Sequence, residues 1–305
     1  MKVSFLIAAH NEEKIIRKTL ENLLNLPYED YEVIIGLDGC TDKTEDILKE
    51  YCKKSKRFRY FSLNLRQGKP AVVDFIIKKA IGDIIVINDA DWIFDFRNKK
   101  SLTKYFSFFN NEKIGGITEP LPIEWSEKMQ KANIGYRMVA FSAYFWMDFQ
   151  KNKYSVKKNN IRYLKEPALF MTNVFRKNLY KRNKLLGDDF ERTAHIMKSG
   201  FEVVLIEDPK MPRMNASYDK IRIRDLFKQK IRTAKARAQL KKENLGVDFS
   251  YLFWANIHIL RESFKRGFSI FVLCVFWIFL TSIATVYSYF RSFDTKEGWK
   301  LRAKR

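Results

Sequence analysis

Apolar residues in the first third of the chain fall in short unbroken runs separated by amphipathic stretches. "KVSFLIAA" (2–9), "YEVIIGLD" (31–38), "FRYFSLN" (58–64) and "DIIVINDAD" (83–91) read as buried strands. Between the first two, "NEEKIIRKTLENLLNL" (11–26) carries Ile15, Leu20, Leu23 and Leu24 at helical spacing. A second helix, "KTEDILKEYCKKS", follows a turn in which Thr41 or Asp42 is placed to cap it, and a third, "AVVDFIIKKAIG", follows the glycine turn "RQGKP". Strand and helix alternate four times. That order predicts a parallel sheet covered by helices.

Beyond residue 95 the pattern is less regular. "IGGITEPLPI" (114–123) reads as a strand leading into a loop, and "NIGYRMVAFSAYFWMDFQ" (133–150) as an aromatic-rich helix. "EPALFMTNVFRKNLY" (166–180) suggests a strand and then a helix, and "LLGDDFERTAHIMKSGFEVVLIEDP" (185–209) a loop, a helix ending at Gly200 and a strand. Residues 219–246 form a basic helix with Leu226 and Ile231 on it, as a helix resting on lipid would have. "FSYLFWANIHIL" (249–260) is apolar with aromatics. The stretch 268–290, "FSIFVLCVFWIFLTSIATVYSYF", has no charge and is flanked by Lys265, Arg266 and Arg291, with Tyr287 and Tyr289 near one end. About 20 apolar residues suffice to span a bilayer, and a core helix of this length usually keeps a polar face. The expected organisation is an α/β domain over 1–215, interfacial helices over 216–267, one transmembrane helix over 268–290 and a basic tail over 291–305.

Composition narrows the partners. The chain has 305 residues, with 57 Lys and Arg against 35 Asp and Glu, a net charge of +22. Such an excess favours an anionic partner: nucleic acid, a membrane surface or a phosphorylated substrate. Cys40, Cys52 and Cys274 form no C-x-x-C pair, so neither a disulfide framework nor a structural zinc site is expected, and a reducing compartment is. The opening "MKVSFLIAAHNEE" does not read as a signal peptide, because its apolar run is short and lacks a small-residue cleavage site.

Polar residues concentrate after the strands: His10 and Asn11 after the first, Asp38 after the second, Asp89 and Asp91 after the fourth. In open α/β sheets ligands bind outside the carboxyl ends of the strands. Two acids one residue apart repel unless something positive sits between them. A divalent cation with a phosphate is one solution, and a solvated turn is the other.

These stretches together resemble the family 2 glycosyltransferases, inverting enzymes with the GT-A fold, over about residues 3–240. "FLIAAHNEE" is similar to the family's opening P-x-[YH]-N-E stretch, with Ala8 where proline is common, and "VIIGLDGCTDKT" to V-D-D-G-S-x-D-x-T. "RQGKPAVVDF" resembles G-K-x-x-A-x-N, "NDAD" the D-x-D motif, "GDDFERTAHIMKSGF" the E-D-x-x-L helix, and "QKIRT" the Q-x-x-R-W stretch with Thr233 in place of tryptophan.

The resemblance implies a GT-A, Rossmann-like nucleotide-sugar domain with a mostly parallel sheet. It implies a divalent cation, Mg²⁺ or Mn²⁺, held by Asp91 and by Asp89, the latter alternatively on the donor's ribose. Such hard cations prefer oxygen ligands and offset the charge on a departing diphosphate. Asp38 would accept a hydrogen bond from the donor's base. Ala8, His10 and Glu12 would line the same pocket, and Lys69 would meet phosphates or ribose. Asp189, with Asp188 beside it, would be the base that takes the acceptor's proton, although both acids also suit the start of a helix. Gln229 and Arg232 lie three apart on one helix face, and Arg232 would hold the leaving diphosphate.

His195 and His258 receive no role, and the run "FSAYFWMDF" suits packing better than an acceptor platform. The expected protein is a membrane-anchored, single-pass hexosyltransferase of glycan biosynthesis with a cytoplasmic catalytic domain. Its donor would be a nucleotide-sugar, with UDP favoured. Its acceptor would be a polyprenyl-phosphate-linked or other membrane-bound glycan, and nucleic acid is not expected. The alternatives are an inactive nucleotide-sugar or anionic-membrane binder and a nucleotidyltransferase. The chain lacks a glycine-rich loop after the first strand that the last would need.

Overall fold

The computed structural model describes residues 1–119, 131–167, 171–182, 185–216, 221–246 and 248–290. The first half alternates as the sequence suggests: β1 (Val3–Ala9), α1 (Ile16–Leu24), β2 (Tyr31–Asp38), α2 (Thr44–Lys54), β3 (Phe58–Leu63), α3 (Lys69–Ile77) and β4 (Ile84–Ile87). There follow β5 (Trp92–Asp95), α4 (Lys99–Ser107), β6 (Ile114–Glu119), α5 (Ile134–Tyr154), β7 (Ser155–Lys158), β8 (Ile161–Leu164), β9 (Met171–Arg176), α6 (Asp188–Lys198), β10 (Glu202–Ile206) and β11 (Arg213–Ala216). Three long helices close the described chain: α7 (Ile223–Lys242), α8 (Phe249–Arg266) and α9 (Phe268–Tyr289).

Nine strands form one sheet in the order β3-β2-β1-β4-β9-β6-β10-β8-β7, and β5 pairs with β11 in a small separate sheet. β1 to β4 are parallel, as are β6 and β10. β9 runs antiparallel between β4 and β6, and β7 and β8 add an antiparallel edge. The four alternating strands are parallel as the alternation predicts, and the antiparallel β7, β8 and β9 make the whole sheet mixed. Strand order reverses on either side of β1, which opens a crevice at the carboxyl ends of β1 and β4.

The sheet divides two cores. Alternate residues of β1 face opposite sides: Val3, Phe5, Ile7 and Ala9 pack with α1, α2 and α4, whereas Leu6 and Ala8 pack with α3 and α5. Both faces are covered, so strands β1 and β2 are apolar along nearly their whole length. Gly36 permits the closest approach, since a Cβ there would lie 2.3 Å from Val72 Cγ1 of α3. The aromatic run of α5 is packing: Phe141, Phe145, Trp146 and Phe149 are buried.

Two local departures matter. β4 stops at Ile87, so Asp89 and Asp91 sit in a turn, closed by the Trp92 N–H donating to the Asp89 carbonyl at 3.0 Å, and not on one face of a strand. The hairpin of β7 and β8 went unread, although Asn159 and Asn160 join two short strands and Asn159 adopts φ 57°. The basic tail and residues 120–123 of the expected strand-to-loop stretch lie outside the described residues.

α9 is long and apolar enough to cross a membrane. One seam of it, Cys274, Trp277, Ala284 and Ser288, is buried, at the 3- and 4-residue spacing of a packed helix face. Trp277 meets Trp146 of α5 with ring centroids 5.8 Å apart, and Tyr287 meets Phe227 of α7 at 6.0 Å. Phe276, Phe279, Ile283 and Val286 on the other face are exposed.

Candidate active site

Two loops at the carboxyl ends of β1 and β2 are stitched together. His10 Nδ1 lies 2.6 Å from the Asp38 carbonyl, an acceptor that fixes the proton on Nδ1. Asn11, at φ 55°, accepts from the Thr41 N–H at 2.8 Å, and the Glu12 N–H donates to Thr44 Oγ1 at 2.8 Å. The Glu13 N–H donates to Asp42 Oδ2 at 3.1 Å, while Asp42 Oδ1 accepts from the Thr44 N–H at 3.0 Å and so serves the start of α2. Gly39 turns the chain at φ 60°, where a Cβ would meet Arg66 N at 3.0 Å. Sequence reasoning gave Asn11, Thr41 and Thr44 no role in the site; here they fix the relative position of the two loops.

Asp38 is 0% exposed. Its carboxylate accepts the N–H groups of Gln67 and, at 2.9 Å, Gly68. The sequence reading gave this acid to the donor's base. In the structure both of its oxygens also hold the loop before α3. That loop delivers Lys69 to the crevice.

Lys69 is the centre of the site. Its Nζ lies 2.9 Å from Asp89 Oδ1 and 3.7 Å from Asp188 Oδ2. Burial alone would push this ammonium down, but Asp188, Asp89 and Asp189 outweigh it and hold Lys69 above its ordinary value. The positive group beside Asp89 is thus a lysine at the start of α3, and it ties this acid to Asp188 of α6.

Asp188 and Asp189 open α6 and differ in their surroundings. Asp188 Oδ2 accepts from Arg192 Nη2 at 2.9 Å, one helical turn on. Burial pushes the Asp188 carboxyl up, but Lys69 and Arg192 overcome it and hold it below the usual carboxylate range. Asp189 is pushed above that range by burial and by the charge of Asp188, which outweigh Lys69, Arg192 and the Phe190 N–H. Environments that push the pKa values of two adjacent carboxyls apart suit them to different roles.

Arg192 is the residue that sequence reasoning missed. It is 1% exposed and stacks on Phe175 at 5.2 Å, while Nη1 donates to the Thr172 carbonyl at 2.7 Å. The i, i+4 spacing of Asp188 and Arg192 was the available signal.

α7 closes the site from the other side. Gln239 Oε1 accepts the Leu186 N–H at 2.9 Å, and a Cβ on Gly187 would lie 3.4 Å from Ala236 Cβ. Arg232 is half-buried and close enough to help lower Asp188. Of the expected residues, Lys69, Asp89, Asp188, Asp189 and Arg232 come together, with Asp91 buried beside Asp89. Glu12 is bound through its backbone to the start of α2. Ala8 is buried in the α3-side core and Gln229 is exposed on α7, so neither side chain joins the Lys69 cluster.

No group of three or more His, Cys, Asp or Glu side chains among the described residues is arranged to hold a metal ion. Asp89 and Asp91 provide two hard carboxylates at the crevice. That set fits a divalent cation that takes its remaining ligands from a diphosphate and water, and does not fit a closed protein cage.

Residues 4–177, more than half of the chain, match the family described as glycosyl transferase family 2. The poly-beta-1,6-N-acetyl-D-glucosamine synthase of Staphylococcus epidermidis is 33% identical over 116 residues, 38% of this chain and 27% of the synthase. The chain thus matches about a quarter of that relative's length. The dolichyl N-acetyl-alpha-D-glucosaminyl phosphate 3-beta-D-2,3-diacetamido-2,3-dideoxy-beta-D-glucuronosyltransferase of Methanococcus voltae is 26% identical over 240 residues, 75% of this chain and 70% of that enzyme. A mannosyltransferase from Pyrobaculum calidifontis, solved with GDP-Man and Mn²⁺, has the same fold at a TM-score of 0.57 and 13% identity, covering 98% of this chain and 78% of that one. With the crevice at the strand ends and its acids in place, the chain belongs to glycosyl transferase family 2 and is a glycosyltransferase of the GT-A fold.

Proposed function

We propose that this glycosyltransferase moves a sugar from a nucleotide-sugar directly onto an acceptor hydroxyl at a membrane surface, with inversion at the anomeric carbon. The observation that carries this reading is the divided pair: Asp188 held charged by Lys69 and Arg192, and Asp189 beside it pushed toward proton uptake. Asp189 takes the acceptor's proton as the hydroxyl oxygen bonds to the anomeric carbon. The bond from that carbon to the diphosphate oxygen breaks, and the electron pair leaves with the nucleoside diphosphate. Lys69 and Arg232 supply positive charge toward the diphosphate. Asp89 and Asp91 would hold a Mg²⁺ or Mn²⁺ ion, which would offset charge on the departing diphosphate. Asp38 acts through the loop it holds, and His10 and Glu12 shape the nucleotide side of the crevice.

UDP-sugars are the favoured donors. A lipid-linked glycan is the favoured acceptor, because the Methanococcus relative that matches most of this chain is named for a dolichyl phosphate-linked one. Membrane attachment is supported by α9 and by the exposed Phe253, Trp254 and Ile257 of α8. The composition of 268–290 suggests a single crossing, but Lys230 of α7 lies over Trp277 in the middle of α9. A crossing helix would carry that ammonium to the bilayer centre, at a cost of about 3 kcal/mol or more. The packing favours α9 lying along the domain, with Phe276, Phe279 and Ile283 toward the acyl chains.

The test is nucleotide release from a panel of UDP-, GDP- and dTDP-sugars with Mg²⁺ or Mn²⁺, supplied with membrane extract as acceptor. Release from one donor, lost in Asp91→Ala and in Asp189→Asn, is expected. Release that ignores both substitutions and the cation would refute the reading.

A further inference from the structure

The seam where α5, α7, α8 and α9 meet gathers hydrogen-bond donors without acceptors. Lys230 and Arg237 stand seven residues apart on α7, which puts them on nearly the same side of the helix. Lys230 Nζ lies 4.3 Å from the Trp277 ring centroid, and the Arg237 guanidinium lies 4.7 Å from that of Trp146. The two indoles touch, and Trp146 Nε1 donates to Tyr251 Oη of α8 at 3.0 Å. Neither cation makes an ion pair or hydrogen bond among the described residues. Arg237 Nε, Trp277 Nε1 and Gln150 Nε2, the last on a side chain that reaches Tyr251, are buried without an acceptor.

We propose that this seam binds the phosphate of a membrane lipid headgroup. Two half-buried cations and two buried neutral N–H donors, drawn from three helices, are costly to hold together unless an anion with several oxygens meets them. Burial, with the nearby charge of Arg237, holds the Lys230 ammonium down to about 7, the behaviour of a cation whose counter-charge is missing. Among the described residues, the charged or titratable groups acting on the two cations are Arg237 on Lys230 and Tyr251 on Arg237. The seam is distinct from the reaction crevice. Arg232, two residues on from Lys230, points about 200° around the helix, toward Asp188.

A lipid rather than a free phosphate is favoured by what surrounds the seam. Phe276 and Phe279, on the outward face of α9, are 58% and 61% exposed, and offer apolar surface for acyl chains on the same helix that carries Trp277. The inference goes beyond the transferase reading and stands without it. A lipid there would brace α7, whose Gln239 holds the loop leading to Asp188.

The experiment titrates the full chain in neutral detergent with dihexanoyl phosphatidic acid, dihexanoyl phosphatidylcholine and inorganic phosphate, reading tryptophan fluorescence and melting temperature. Saturable binding of the phosphatidic acid is expected, weakened at least tenfold in Lys230→Gln/Arg237→Gln. In Lys241→Gln/Lys242→Gln, an equal loss of charge at the exposed end of α7, it should change less than twofold. Equal binding by wild type and the first double variant, or an equal loss in the charge-matched control, would overturn the site. Inorganic phosphate binding as tightly as the lipid would overturn the lipid source. Lys230→Met guards against misfolding: removing an uncompensated cation should raise the melting temperature without ligand and abolish the rise on adding phosphatidic acid. A fall without ligand would contradict the absence of a counter-charge.

Discussion

The two ends of the sheet bury carboxylates in opposite ways. At the amino ends, Glu32 of β2 accepts from Ser4 Oγ at 2.6 Å, from the Ile81 N–H at 2.7 Å and from Arg59. Ser4 Oγ in turn accepts from the Gly82 N–H at 2.9 Å. Burial pushes the Glu32 carboxyl up, but these donors overcome it and hold it below its ordinary value. That network is closed and offers nothing to a ligand. At the carboxyl ends Asp89, Asp188 and Asp189 gather around Lys69, with Arg192 bonded to Asp188, and the crowding appears as a carboxyl pushed up at Asp189. Acids satisfied one by one report a fold's internal bookkeeping. Acids that must share a cation mark a site prepared for charge that arrives later.

Substitutions can break this comparison, beginning where most free energy is at stake. Arg192→Leu removes the buried partner of Asp188 and should cost about 3–5 kcal/mol by denaturant unfolding, with activity lost as well. A loss under 1 kcal/mol would mean that Asp188 is not held as described. Glu32→Gln should cost about 1–3 kcal/mol, while transfer by the folded protein stays unchanged. The lowered pKa of Glu32 also fixes a sign. Its contribution is full above its unfolded value, near 4.5, and is lost as pH falls through the lower folded value. The Gln variant should therefore show a shallower loss of stability in acid. Gly39→Ala, forced to φ 60°, should cost about 1–2 kcal/mol and loosen donor binding.

The finest test uses pH. Asp189 must be unprotonated to take a proton, so the acid limb of kcat/KM should lie above 3.8, the ordinary aspartate value. Lys69→Met removes a charge that favours ionised Asp189 and should move that limb higher. A limb that stays in place would separate Asp189 from Lys69.

How much of this was legible in the sequence follows the same division. β1 and β2 announce themselves because both faces are covered and their residues are apolar along nearly their whole length. The pattern misleads where a partner decides the outcome. Asp89 and Asp91 extend an apparent strand, but β4 ends at Ile87 and the turn brings Asp89 to Lys69. β9 reads as an ordinary strand, and nothing in it reveals that it inserts antiparallel between β4 and β6. Asp188 and Asp189 were readable as a pair, whereas their opposite shifts depend on Arg192 and on Lys69 from a distant loop. Asp38 stands where the family resemblance suggests a base contact, yet its carboxylate is engaged by a loop 29 and 30 residues later. Motifs located the site; the partners of each acid depend on contacts that spacing does not encode.

The central claim is the division of labour between Asp188 and Asp189, and the most direct test is Asp189→Asn measured for both donor binding and nucleotide release. The account predicts release slowed by about 10²–10⁴-fold, with donor affinity within a few-fold of wild type and an unchanged melting transition. Release at the wild-type rate, or a loss explained by weaker donor binding alone, would contradict it.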